Sequence, residues 1–229
     1  MIPDSIMRFT AVAFDLDGTL YPDPSLFIRL VPFLLKEHRL MMAMGKARET
    51  LRKSGAYGED FYETQARIMG ELLKEPTQKV KERIERLIYR GWEGHFKKIG
   101  LFPHVRETLG NFRDAGVKLG LLSDFPPETK LENLKILDFF ETVLCSEVTG
   151  RLKPDPAPFL ELALRMKTEP QRLLYVGNSV PYDVRGAGGT GMKTALIRSR
   201  WKKRLSAKVE AAADFCFYDY RQLNDYVLS

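Results

Sequence analysis

Two aspartates, Asp15 and Asp17, follow the uncharged run Ala11-Val12-Ala13-Phe14 and precede Gly18 and Thr19. An apolar run that stops at charge is the pattern of a buried parallel strand emptying into a turn. Residues two apart on an extended chain face one side, so both carboxylates point together if the extended geometry runs past the strand end. Carboxylates held that close repel, and one pKa rises unless a cation or a proton lies between them. The pair therefore asks for a metal ion and divides the work: one carboxylate stays ionised as a nucleophile, the other moves a proton. Gly18 permits the unusual dihedrals of such a turn. Alone, D-x-D is a common pattern that equally marks the start of a loop.

Three later segments carry polar groups at the same kind of place. Ser123 ends the apolar stretch 117–122, where its hydroxyl could donate to a phosphoryl oxygen; with Asp124 and the following prolines it could equally cap a helix. In GRLKPDPAPF, Pro154 holds Lys153 extended, and Asp155-Pro156 reads as the start of a helix. The run LLYVG at 173–177 empties into Asn178 and Ser179, with Asp183 five residues beyond Asn178.

DLDGTLY after an apolar strand resembles the first motif of the haloacid dehalogenase superfamily of phosphohydrolases. Ser123, Lys-Pro-Asp-Pro at 153–156 and the Asn178–Asp183 segment resemble its other three motifs, in the family's order. The resemblance covers residues 7–22 and 100–229. It implies that Asp15 attacks phosphorus to give an aspartyl-phosphate, and that Asp17 protonates the leaving alcohol and then activates water. Loop amides, Ser123, Lys153 and Mg²⁺ would stabilise the transferring group. It implies substrate contacts at Gly18, Thr19, Ser123, Asp124 and Lys153, and an Mg²⁺ site at Asp15, Asp17, Asn178 and Asp183. Haloacid dehalogenases lack the second Asp, because halide leaves without a proton, so Asp17 points to a phosphate ester. The chain departs from the pattern at Asn178, where the family usually has Asp, and at Asp124, where Asn or Gly is frequent. An amide oxygen can ligate Mg²⁺ but brings no charge. Asp15, Asp17 and Asp183 against Lys153 leave −2, which one Mg²⁺ cancels; Asp124 would partly restore the field lost at Asn178.

These residues need a scaffold. The 229 residues, 44% hydrophobic and 29% charged, suit a globular protein with a sizeable core. Short apolar strands at 117–122, 142–146, 173–177, 193–197 and 214–218 alternate with amphipathic helices, predicting an α/β fold: a doubly wound parallel sheet, Rossmann-type, covered on both faces. Residues 25–98 read as helices only, at 25–43, 45–54, 58–74 and 76–98, with breaks near Gly45, Gly55, Gly58 and Pro76. The expected division is a catalytic core of 1–22 and 100–229 and an all-helical cap of 23–99. Ligands of open α/β sheets bind beyond the carboxyl ends of the strands, so the cap lies over Asp15 and Asp17.

The net charge of +6 lies wholly in the helical segment: residues 24–100 hold 16 Lys plus Arg against 10 Asp plus Glu. Such a surplus can steer an anionic substrate, hold nucleic acid or simply be a solvated surface. Tyr21, Arg29, His38, Arg48, Arg52 and Tyr57 are candidates to reach the site, and the cap's basic character leans toward a small phosphomonoester with a second polar or acidic group. Met41, Met42, Met44, Trp92 and Phe96 should build the cap's core or its contact with the sheet domain. His38, His95 and His104 are scattered, and Cys145 and Cys216 read as buried thiols within strands. Gly186, Gly188 and Gly191 spell G-x-G-x-x-G but follow a helical stretch, so they read as close packing and a turn. No apolar run approaches the roughly 20 residues of a membrane span, and no signal-peptide pattern opens the chain, so a cytoplasmic location is the default.

The expected function is a Mg²⁺-dependent phosphatase acting on a small phosphorylated metabolite, as a monomer or homodimer. The alternatives are a phosphomutase on a sugar phosphate and a non-catalytic protein binding anions or nucleic acid on the same scaffold.

Overall fold

The four buried apolar residues of β1 (Ala11–Phe14) have a strand on each side. In the computed structural model, which describes residues 8–56, 60–91, 99–198 and 212–229 and only the backbone of 23–29, β1 lies between β2 (Lys118–Ser123) and β4 (Leu173–Gly177). β3 (Thr142–Cys145) flanks β2, while β5 (Lys193–Ile197) and β6 (Phe215–Phe217) continue beyond β4. The six strands form one sheet in the order β3-β2-β1-β4-β5-β6, every pair parallel, with the reversal of order at β1.

Alternation sorts the strand residues to two faces. Val12 and Phe14 join Leu119, Leu121, Leu174 and Val176 in one core, under Leu109 and Phe112 of α5 (Val105–Asp114) and Leu223 and Val227 of α9 (Tyr220–Leu228). Ala11 and Ala13 face the other way, with Tyr175, Phe159 and Leu162 of α7 (Pro156–Arg165) and Ala187 of α8 (Arg185–Gly189). Both faces are covered, as continuous apolar strands require. A short α6 (Glu128–Asn133) follows β2.

From Asp23 to Tyr89 the described elements are all helical: α1 (Asp23–Lys36), α2 (His38–Ser54), α3 (Phe61–Leu73) and α4 (Thr77–Ile84), which runs into a π-turn at Glu85–Tyr89. Helices α2 to α4 share a core of their own, including Leu40, Met44, Ala47, Met69, Val80 and Ile84. Two expectations fail here. The first break falls at Glu37, and Gly45 continues inside α2. Glycine inside a helix costs only about 1 kcal/mol, which packing of the α2 stripe outweighs. Met42 is 61% exposed and contributes nothing to that core, while Met44 is buried in it. Trp92 and Phe96, and the stretch 92–98 of the fourth expected helix, lie outside the described residues, as do Tyr57 and His95.

The glycine triplet packs as its context suggested. A Cβ on Gly186 would stand 2.5 Å from the Phe159 ring and 3.1 Å from Pro154 Cα, and Gly191 turns the chain into β5 at φ +88°. Gly186→Ala should therefore force α8 off α7, costing about 1–3 kcal/mol of unfolding free energy in a urea titration.

Candidate active site

Parallel register brings three strand ends to one rim. Phe14 lies opposite Leu121 on one side and Val176 on the other, so Asp15, Ser123 and Asn178 all leave the sheet at the same edge. The Asp15 amide donates to the Val176 carbonyl at 2.9 Å, which extends the pairing one residue past β1. Gly18 then turns the chain at φ +77°. The Tyr220 hydroxyl, reaching from the far end of the sequence, donates to the Thr19 carbonyl at 2.6 Å and pins the loop.

Lys153 stands at the centre. Its ammonium donates to Asp15 Oδ1 at 2.6 Å and to Asp183 Oδ1 at 2.7 Å, with the Tyr175 hydroxyl at 3.3 Å. Asp183 Oδ2 accepts the backbone N–H groups of Asn178 and Ser179, and Thr19 Oγ1 donates to Asp15 Oδ2 at 2.7 Å. Burial pushes the Asp15 carboxyl up to about 7; Lys153 opposes the rise and Asp183 adds to it. The opposite charges around it hold the Lys153 ammonium well above its ordinary range despite burial.

Asp17 does not share this cluster. Its two oxygens lie 2.8 Å from the ammonium of Lys130 on α6, and the Tyr21 hydroxyl donates to Oδ1. The expectation that Asp15 and Asp17 point together is thereby corrected: the chain leaves extended geometry after β1, and each carboxylate finds its own lysine. Lys130, only 6% exposed, was missed from the sequence. The available signal was its place one turn before Leu134 on the inward face of α6. Three carboxylates against two ammonium groups leave one net negative charge, less than sequence counting suggested.

Ser123 is buried, and its Oγ accepts from the Phe125 amide at 3.2 Å. It caps no helix, because α6 begins after Pro127. Asp124 corrects a second expectation, since both its oxygens are committed to protein. Oδ1 accepts from Ser146 Oγ at 2.7 Å and the Lys153 amide at 3.2 Å, and Oδ2 pairs with Arg52 of α2 at 2.8 Å. Although burial opposes ionisation, Lys153, Arg48 and Arg52 hold this carboxyl below its ordinary value. It joins sheet and helices, and its charge also reaches Lys153. Thr19 likewise is fully buried against Asp15, so its hydroxyl orients that carboxylate.

Of the six residues thought able to reach the site, Arg48, Arg52 and Tyr21 do. Arg48 is buried, pairs with Glu147, and donates to the Asp124 carbonyl; Arg52 also donates to the Lys153 carbonyl at 3.0 Å. His38 instead sits against the Leu35 carbonyl. The side chain of Arg29 and all of Tyr57 lie outside the described residues.

The donor set for a cation is oxygen only. Among the described residues no three His, Cys, Asp or Glu side chains form a metal cage by themselves. The Asn178 side-chain N–H, however, donates to the Asp17 backbone carbonyl at 3.0 Å, and the Asn178 backbone N–H to Asp183, which brings both residues to the rim that holds Asp15. Carboxylate, carbonyl and amide oxygens are what a hard cation takes, and Mg²⁺ completes its shell with water and substrate oxygens. These groups fit Mg²⁺, with the backbone oxygen of Asp17 in the place expected of its carboxylate.

An all-parallel sheet interrupted by helices after its first strand, with an aspartate pair, a lysine and a second acid at one rim, defines the class. Residues 9–191 match the haloacid dehalogenase-like hydrolase family model. The chain belongs to the haloacid dehalogenase-like hydrolases, and within them it is a phosphatase-type enzyme. It is 32% identical over 197 residues to a phosphoglycolate phosphatase of Escherichia coli strain K12, covering 79% of this chain and 77% of the relative. In fold it is similar to a HAD phosphatase from Thermococcus onnurineus (TM-score 0.65, 24% identity, 96% and 98% of the two chains). It is also similar to an L-2-haloacid dehalogenase from Xanthobacter autotrophicus (TM-score 0.64, 17% identity, 96% and 98%). The fold thus hosts both chemistries, and the site must choose between them.

Asp124→Ala would leave Arg52, Ser146 and the Lys153 amide without their acceptor. A loss of about 2–4 kcal/mol in guanidinium unfolding is expected, with phosphatase activity falling in the fraction that stays folded.

Proposed function

We propose that this chain hydrolyses a small phosphomonoester through an aspartyl-phosphate on Asp15, with Mg²⁺ as cofactor and residues 23–99 as a cap over the site. The observation that carries the reading is the buried Lys153 joining Asp15 to Asp183, with Asp17 two residues along the chain from Asp15. Asp15 attacks phosphorus, the bond from phosphorus to the alcohol oxygen breaks, and Asp17 gives its proton to that oxygen. Negative charge developing on Asp17 is met by Lys130 and the Tyr21 hydroxyl. Asp17 then takes a proton from water as the water oxygen attacks the aspartyl-phosphate, releasing inorganic phosphate and restoring Asp15. Lys153 offsets charge on the transferring group, and Ser123, whose hydroxyl proton meets no acceptor among the described residues, is available to a phosphoryl oxygen. Asp15, the Asp17 carbonyl and Asn178 would hold Mg²⁺, and Asp183 steadies both Lys153 and the Asn178 backbone. When bound, the ion supplies Lewis-acid stabilisation of phosphoryl oxygens.

Relatives named for phosphoglycolate support the class of reaction. They do not carry the alcohol across, because a relative's substrate name belongs to that relative. Phosphate release measured over a panel of phosphomonoesters, with Mg²⁺ and with EDTA, tests the reading. Turnover that needs Mg²⁺ and falls at least about 10³-fold in Asp15→Asn is expected. Turnover independent of Asp15 would sink it.

Two variants sharpen the roles. Asn178→Asp places a carboxylate against the Asp17 carbonyl, so it should lower the Mg²⁺ concentration for half-maximal activity about tenfold, a 1.4 kcal/mol gain, and lose thermal stability in EDTA. Lys130→Met should slow alkyl phosphates about 10²-fold, as for lost proton-transfer assistance, while sparing aryl phosphates whose leaving group needs no proton.

A further inference from the structure

In the proposed reaction Asp17 passes a proton to the departing alcohol, so the space near Asp17 bears on which alcohol fits. Lys130, whose ammonium touches both Asp17 oxygens, also lines a cavity of about 290 Å³ between the sheet domain and the helices. Its walls include the rings of Tyr62 and Tyr89 from the helical side and of Phe125 from the sheet side, with Ile88 and Pro126. Tyr62 and Tyr89 meet edge-on at 5.9 Å, and Tyr89 and Phe125 at 6.5 Å. A second space of about 650 Å³ has Tyr62, Glu85, Tyr89 and Arg90 in common with it.

Charge on these walls is already matched. Lys130 faces Asp17, Arg90 pairs with Glu85 at 2.7 Å, and Glu128 adds a negative charge. A small anionic alcohol such as glycolate would meet two acids and two engaged cations, and would leave most of the cavity unfilled. A flat neutral ring would instead find three aromatic walls.

We propose that the alcohol portion of the substrate is neutral and ring-bearing, seated against Tyr62, Tyr89 and Phe125. This rests on the phosphatase reading and replaces the leaning toward a second acidic group drawn from the cap's net charge. Two charges of that surplus are answered by acids of the sheet domain, Arg48 by Glu147 and Arg52 by Asp124.

Benzyl phosphate, ethyl phosphate and 2-phosphoglycolate have alkyl leaving groups of similar basicity, so their kcat/KM values compare binding of the alcohol rather than its reactivity. Benzyl phosphate is expected to exceed both others by about tenfold or more. Thr129 lines the same cavity and its side chain makes no hydrogen bond to the described residues, so Thr129→Trp should fill the space. That variant should cut kcat/KM for benzyl phosphate about tenfold and leave ethyl phosphate unchanged. Preference for phosphoglycolate or ethyl phosphate in the wild type, or an equal loss on all three esters in the variant, would overturn the proposal while leaving a phosphatase. Should the variant fail to fold, the wild-type comparison decides alone. Hydrolysis of none of the three, nor of any ester in the wider panel, would overturn the phosphatase reading and this proposal with it.

Discussion

An ammonium group buried away from water is tolerated only if opposite charge surrounds it, and Lys153 satisfies that condition with two carboxylates from different parts of the chain. The remaining architecture follows from keeping this arrangement dry and rigid. Asp15 is held by the β1–β4 pairing, Asp183 by two backbone N–H groups at the end of β4, and Lys153 by the loop before α7. Removing any one partner would strand a buried charge. That is why Tyr175 and Thr19 fill the remaining hydrogen-bonding directions, leaving the cluster closed on its protein side.

The second constraint ties the helices to this rim. Arg48 and Arg52, one turn apart on α2, both end at Asp124, and Arg52 also reaches the backbone of Lys153. Glu147, after β3, binds Arg48 and accepts from the Tyr89 hydroxyl, so the cavity wall and the site share one buried polar network. Fully satisfied networks of this kind rigidify, because loosening one member exposes the others. Helical insertion and sheet are therefore coupled by charge as well as by packing, and the position of Tyr89 depends on the same network that holds the Lys153 backbone.

Local signals were strong where one physical rule dominates. Apolar runs ending in Asp15, Ser123 and Gly177 marked buried parallel strands, and their ends lie within a residue or two of the observed ones. Gly186 and Gly191 were recognised as packing and turn residues from context alone. Helix boundaries were less legible: Gly45 looked like a break, yet its neighbours pack well enough to carry the helix through, and nothing in the sequence around Glu37 signals a stop.

What the sequence determined by itself was the list of groups capable of chemistry and the strands that deliver them, because strand periodicity and turn chemistry act over a few residues. What only the tertiary structure decided was which charge answers which. Asp17 and Lys130 are 113 residues apart, as Asp124 and Arg52 are 72 apart, and no local rule pairs them. Those pairings tied Asp124 to the helices as well as to the rim, gave Asp17 its own cation, and matched Arg48 and Arg52 with acids of the sheet side. Long-range electrostatics depends on distances that exist only after the chain has folded.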